Sequence, residues 1–194
     1  MEFKGLVGPC LPTLLMALAV GTFAQTSRRP QKEQSHFGAE VAIKKATELP
    51  TDVLSMLRED KRNQTCLRDG ESLTNITSSW FIGSRIHLNP DGDADLVVTA
   101  RNDCLLGANL IPFWVFRNTP HGHELVLSVS ALGLDVLNTK TNHYRDIRTA
   151  TATAKGVQTV ILRFDGKDYR SKKHMTTATW ARTDAGLRDM LKDI

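Results

Sequence analysis

The chain has 194 residues, 41% of them hydrophobic and 24% charged, and a formal net charge of +4. That suits one globular domain with a tail. The basic excess is mild and spread out: Arg28–Arg29 and Lys172–Lys173 are the densest pairs and neither is interleaved with aromatics, which argues against a nucleic-acid surface.

The first stretch, "MEFKGLVGPCLPTLLMALAVGTFAQ", places Lys4 ahead of an apolar run from Leu11 to Val20. Thr22 and Ala24 supply the small residues before a cut at Gln25. This is the layout of a secretory signal peptide, and its apolar core is too short for a transmembrane span. Cys10 follows Pro9 and precedes the apolar core, so it is not read as a lipid anchor. The expected division is residues 1–24 as signal peptide, 25–37 as flexible linker and 38–194 as a single β-rich domain. The mature chain would be secreted or periplasmic, in an oxidising compartment. There Cys66 and Cys104 are the remaining cysteines, and an even pair predicts one disulfide, with two separate buried thiols as the alternative.

Beyond the polar linker, "FGAEVAIKKATEL" suggests a short helix with a weak apolar stripe. "PTDVLSMLREDKR" is a stronger helix, with Thr51 as N-cap and Val53, Leu54 and Leu57 on one face. A loop follows, with Cys66 and the sequons starting at Asn63 and Asn75, which matter only in a host that glycosylates secreted chains. After Ser78 the pattern changes to strands: "SSWFIGSRIHL", "DLVVTA", "PFWVFR", "HELVLSVSALGLDVL", "HYRDIRTATATA", "VQTVILRFD", "DYRS" and "MTTATW". Leu125, Leu127 and Val129 share one face, as do Val160, Leu162 and Phe164. Turn-rich connections such as "NTPHGH" and "DGKD" are too short for parallel crossovers, so neighbouring strands run antiparallel. "DAGLRDMLKDI" predicts a C-terminal helix. The fold class is α+β, mainly β: a meandering antiparallel sheet with short flanking N-terminal and C-terminal helices.

"HLNPDGDADLVV" has two readings. Asn89-Pro90-Asp91-Gly92 suits a type I turn closing a hairpin, with glycine in a left-handed conformation, and that is the reading we favour. Alternatively, Asn89, Asp91, Asp93 and Asp95 offer alternating oxygens to calcium, the one cofactor the sequence suggests. The stretch resembles the D-x-[DN]-x-D-G-x-x-D loops of FG-GAP repeats, matched by Asn89, Asp91, Gly92 and Asp95 in a single copy. It departs from them at His87, where that family has aspartate.

A second set of motifs covers roughly Thr51 to Arg170, centred on "CLLGANLIPFWVFR" and ending in "RFDGKDYR". It resembles a group of uncharacterised exported bacterial proteins with a C-L-x-G-A-N-x-x-P-F-W-V-F-R centre. The resemblance implies the architecture and export, and carries no activity.

The sequence contains no GxSxG, HExxH, Walker or GxGxxG motif and no zinc-like cysteine spacing. His121 and His123 are read as a solvated hairpin tip, and Asp146, between Arg145 and Arg148, as part of an exposed charge network. Gly107, Ala108 and Asn109 form a polar–apolar junction ahead of Trp114 and Phe116. Trp114 fits a core position; if exposed, Trp114 and Phe116, with Asn109, would contact a ligand or partner. Three functions follow. The first is a non-catalytic exported protein binding another envelope or extracellular macromolecule, such as an inhibitor of a hydrolase. The second is a calcium-stabilised FG-GAP-like module. The third is a hydrolase whose His123 or His143 meets Asp146 in a pocket.

Overall fold

The computed structural model describes residues 33–178 apart from 39, 91, 108, 109 and 155. The expected signal peptide and C-terminal helix, together with Asp91 and Asn109, lie outside the described residues.

The fold is α+β and dominated by two five-stranded antiparallel sheets. The strands are β1 (His36–Gly38), β2 (Ala46–Thr47), β3 (Phe81–Ile86), β4 (Asp95–Ala100), β5 (Ile111–Thr119), β6 (Gly122–Ala131), β7 (Gly133–Thr141), β8 (Tyr144–Thr153), β9 (Gly156–Phe164) and β10 (Tyr169–Ala178). Two short helices, α1 (Thr51–Glu59) and α2 (Lys61–Gln64), precede the meander. One sheet has the order β2-β3-β4-β5-β6, the other β1-β7-β8-β9-β10. Among the described residues, no helix is long and apolar enough to cross a membrane.

The two sheets pack face to face around Ile86, Val97, Phe113 and Val115 from one side and Phe37, Leu134, Ile147 and Leu162 from the other. A second cluster covers the opposite face of the first sheet, where Val53 and Leu57 of α1 meet Leu96, Val98, Trp114 and Phe116. The sheet is therefore buried on both faces. This explains why β4 and the first six residues of β5 are buried without interruption, although strand side chains alternate in direction.

The chain switches sheets within the run we read as one strand, "HELVLSVSALGLDVL". Pairing with β5 ends at Ala131, pairing with β8 begins at Gly133, and the Leu132 amide donates to the Ala150 carbonyl between them. Gly133 allows the close approach of β1, because a Cβ there would sit 3.1 Å from the Phe37 carbonyl oxygen. The predicted Leu125/Leu127/Val129 face also fails. A register shift beside Val115 buries Val126 and Leu127 together and leaves Leu125 37% exposed, as a bulge does. The Val160/Leu162/Phe164 face is present: Leu162 and Phe164 are buried core residues, and Val160 packs on them.

"FGAEVAIKKATEL" is not a helix. It contributes β1 and β2, which lie in different sheets, and Phe37, read as the end of the linker, is buried in the core. The weak stripe carried no face for a helix to bury, whereas one aromatic on an extended segment fills the space beside β7. In α1 the N-cap is Pro50 rather than Thr51, and no side chain caps it. "DYRS" and the described part of "MTTATW" belong to one strand, β10, with a register shift between Ser171 and Met175.

Cys66 and Cys104 form a disulfide with Cα atoms 5.8 Å apart. It joins the segment after α2 to a 3₁₀ turn, Asp103–Leu105, ahead of β5. The bond closes a 38-residue loop. Replacing both cysteines with alanine is expected to remove roughly 3 kcal/mol, measured by urea unfolding.

Candidate functional site

The quoted loop is a connection rather than a tight hairpin. β3 ends at Ile86, which pairs with Asp95, and the Gly92 amide donates to the Asn89 carbonyl at 3.1 Å. That i to i+3 bond supports the turn, but Gly92 is not left-handed, so the expected glycine bulge is absent. Asp95 is turned inward and braces the backbone of the loop. It is 3% exposed; one carboxylate oxygen accepts from the Leu88 amide at 2.8 Å and the other from the Asn118 amide at 2.9 Å. Burial pushes its pKa up, against those bonds and one from the Asn89 amide. Asp93 is exposed and Asn89 half-buried. Among the described residues no group of three or more His, Cys, Asp or Glu side chains is placed to hold a metal.

Trp114 and Phe116 are fully buried under the helices and offer no surface to a partner. The Trp114 indole packs edge-on against Phe81 and donates Nε1–H to Asp60 Oδ2 at 2.7 Å. Asp60 also caps α2 through the Arg62 amide and pairs with the Arg62 guanidinium, which lies 4.9 Å over the Trp114 ring. Burial would raise the Asp60 pKa, but its bonds with Arg62 and Trp114 outweigh that and hold it at about 2. Asn63, in the first sequon, is buried and its Nδ2 donates to the Leu57 carbonyl, whereas Asn75 is exposed.

The histidines and Asp146 are not brought together. His123 is bonded through both its amide and Nδ1 to Asp52 Oδ2, each at 2.9 Å, so the hairpin tip clamps α1 instead of waving in solvent. Gly122 beside it has φ +110, and a Cβ there would sit 3.1 Å from the same carboxylate oxygen. His143 is exposed in the two-residue turn between β7 and β8, where it and Asn142 both have positive φ, as a type I′ turn requires. Asp146 is buried, not exposed, and accepts from the Thr141 hydroxyl at 2.8 Å. Elsewhere His36 Nδ1 lies 2.5 Å from Asp135 Oδ1, and Arg148 Nε donates to Asp135 Oδ2, a row of side chains across β1, β7 and β8.

The candidate site is an open cleft of about 410 Å³ lined by Glu33, His87, Pro90, Asn138, Lys140 and Arg145. Three stretches meet here: the segment before β1, the β3–β4 loop, and the β7–β8 hairpin. Where β7 and β8 lose register between Val136 and Lys140, the Arg145 guanidinium fills the gap, donating Nε–H to the Leu137 carbonyl and Nη2–H to the Val136 carbonyl. The Arg145 amide donates to the Leu88 carbonyl, tying the loop to the second sheet. Glu33 accepts from the His87 amide, and its Oε2 lies 3.6 Å from Arg145 Nη1. None of the cleft residues was singled out as a ligand contact from sequence; they lie far apart in the chain and share no motif. No protein-family model, no curated protein and no solved structure matches the chain.

Two outcomes are expected. The Asp60 pKa of about 2 lies below its ordinary 3.8. Its stabilising effect is therefore complete above pH ~5 and is lost as the pH falls through ~2, about 2 kcal/mol in all. Urea unfolding of wild type and Asp60→Asn should show the gap between them shrinking by that amount from pH ~7 to ~2. Second, about 1 mM calcium is expected to leave the melting temperature unchanged. A rise that disappears in Asp95→Asn would restore the metal reading.

Proposed function

We propose that this chain is an exported, non-catalytic binding protein whose partner is another envelope or extracellular macromolecule. The signal-like N-terminus, the resemblance of the "CLLGANLIPFWVFR" centre to exported bacterial proteins, and a disulfide suited to an oxidising compartment all support export.

One observation carries the binding half of the reading, the different use of the carboxylates that brace the fold and of the polar groups in the cleft. Asp52, Asp60, Asp95 and Asp135 each take part in hydrogen bonds that join separate parts of the fold, and Asp146 accepts one within the β7–β8 hairpin. A carboxylate engaged in that way is a brace, and moving its proton would cost stability. The cleft instead gathers His87, Asn138, Lys140 and Arg145 around open space. Convergent polar groups in a concavity suit recognition.

The test uses the mature chain starting at Gln25, immobilised and exposed to extracellular and envelope fractions of its host. Saturable retention of one macromolecule is expected. Retention of nothing, with turnover of a model ester, glycoside or peptide, would overturn the reading in favour of a hydrolase.

A further inference from the structure

The cleft already holds a carboxylate of its own chain. Glu33 belongs to the segment leading into β1, which runs along β7 with the Ser35 carbonyl accepting from the Val136 amide at 2.7 Å. The Glu33 carboxylate is anchored on one side by the His87 amide. On the other it stands 3.6 Å from Arg145 Nη1 and 3.7 Å from His87 Nδ1, beyond hydrogen-bond distance for both. Arg145 is held rigid by the Val136 and Leu137 carbonyls, and its side chain is 13% exposed. Its Nη1 is thus a fixed, partly desolvated donor that Glu33 faces as an ion pair without a hydrogen bond.

Asn138 and Lys140 of β7 also line the cleft. Two positive charges, Lys140 and the rigidly held Arg145, face one negative charge, Glu33, in the lining. The volume of about 410 Å³ falls within the roughly 300–1,000 Å³ of ligand clefts and exceeds the needs of one carboxylate.

We propose that this cleft recognises an acidic side chain on an extended segment of the partner, and that Glu33 holds its place in the free protein. The assignment rests on the binding reading above and names the chemistry of its ligand. Glu33 supplies the template: a carboxylate on a short flexible stem, presented by extended backbone beside β7. The incoming carboxylate takes the Arg145 Nη1 edge and the Lys140 ammonium, with the Asn138 amide as a further donor. Carboxylate is the chemistry favoured because Arg145 Nη1 and Lys140 are cationic donors to an anionic acceptor, and the chain already brings the Glu33 carboxylate to the same Nη1.

The experiment is an amide chemical-shift titration of the isotope-labelled mature chain with a blocked tetraglutamate peptide, with glutarate and a tetralysine peptide in parallel. Tetraglutamate is expected to give saturable shifts centred on His87, Asn138, Lys140 and Arg145, and tetralysine none. Lys140→Ala should weaken binding about tenfold and Glu33→Gln should tighten it about fivefold, since the first removes an attractive charge and the second a competing one. Both substitutions leave the Arg145 bonds to the backbone in place, and the unbound spectra verify the fold. Equal affinity for glutarate would overturn the assignment to a partner segment. Absent shifts, or shifts unchanged by both variants, would overturn the cleft altogether. If a macromolecular partner is still retained by Lys140→Ala and Glu33→Gln while the titration is silent, the cleft assignment fails and the binding reading stands.

Discussion

The carboxylate of Asp60 connects the helical layer to the sheet beneath it. It caps α2, pairs with Arg62 and accepts the indole proton of Trp114, the largest fully buried side chain among the described residues. An indole N–H buried without an acceptor costs free energy, and a buried carboxylate without donors costs more. Each solves the other's problem at one position, so α1 and β5 can bury their apolar faces together. The sheet between the layers can then be apolar on both sides, and β4 and β5 are written accordingly.

The same economy recurs at the far end of the sandwich. Asp95 ties Leu88 to Asn118, and the Tyr169 hydroxyl donates to the Arg145 carbonyl at 2.7 Å. Burial, reinforced by the nearby charges of Asp95 and Asp146, pushes the Tyr169 pKa up and keeps the phenol neutral as a donor. Arg117 of the first sheet lies over the Tyr144 and Phe164 rings of the second, so the two sheets are joined there by cation–π contacts as well as by apolar packing. This polar end is where the β3–β4 loop meets β8, and the cleft opens beside it.

Legibility differed between the scaffold and the site. Period-two patterns and turn residues located most strands from β3 onwards, and the cysteine count anticipated the bridge. Alternation failed at Val126, and the charge pattern failed at Asp146, where neighbouring register shifts accompany the side-chain placement. A bulge leaves little trace in composition, since it adds one residue to one strand. The acidic loop misled for a related reason: Asp95 begins a strand, and its side chain is drawn inward by amides from β5 and the loop. No local pattern reports amides that are donated from elsewhere in the chain.

The amino-acid sequence alone determined that the described chain is antiparallel and mainly β, because local alternation and short connections suffice for that. It also supplied the two cysteines for the bridge and the amphipathic face of α1. Only the tertiary structure decided that there are two sheets, that Trp114 and Phe116 face the helices rather than solvent, and that Glu33, His87, Lys140 and Arg145 line one cleft. The physical reason is range. Periodicity and turn chemistry act between near neighbours, whereas the sheet switch at Leu132, the docking of β1 on β7 and the brace from Asp60 to Trp114 join residues that are neighbours only once the chain has packed.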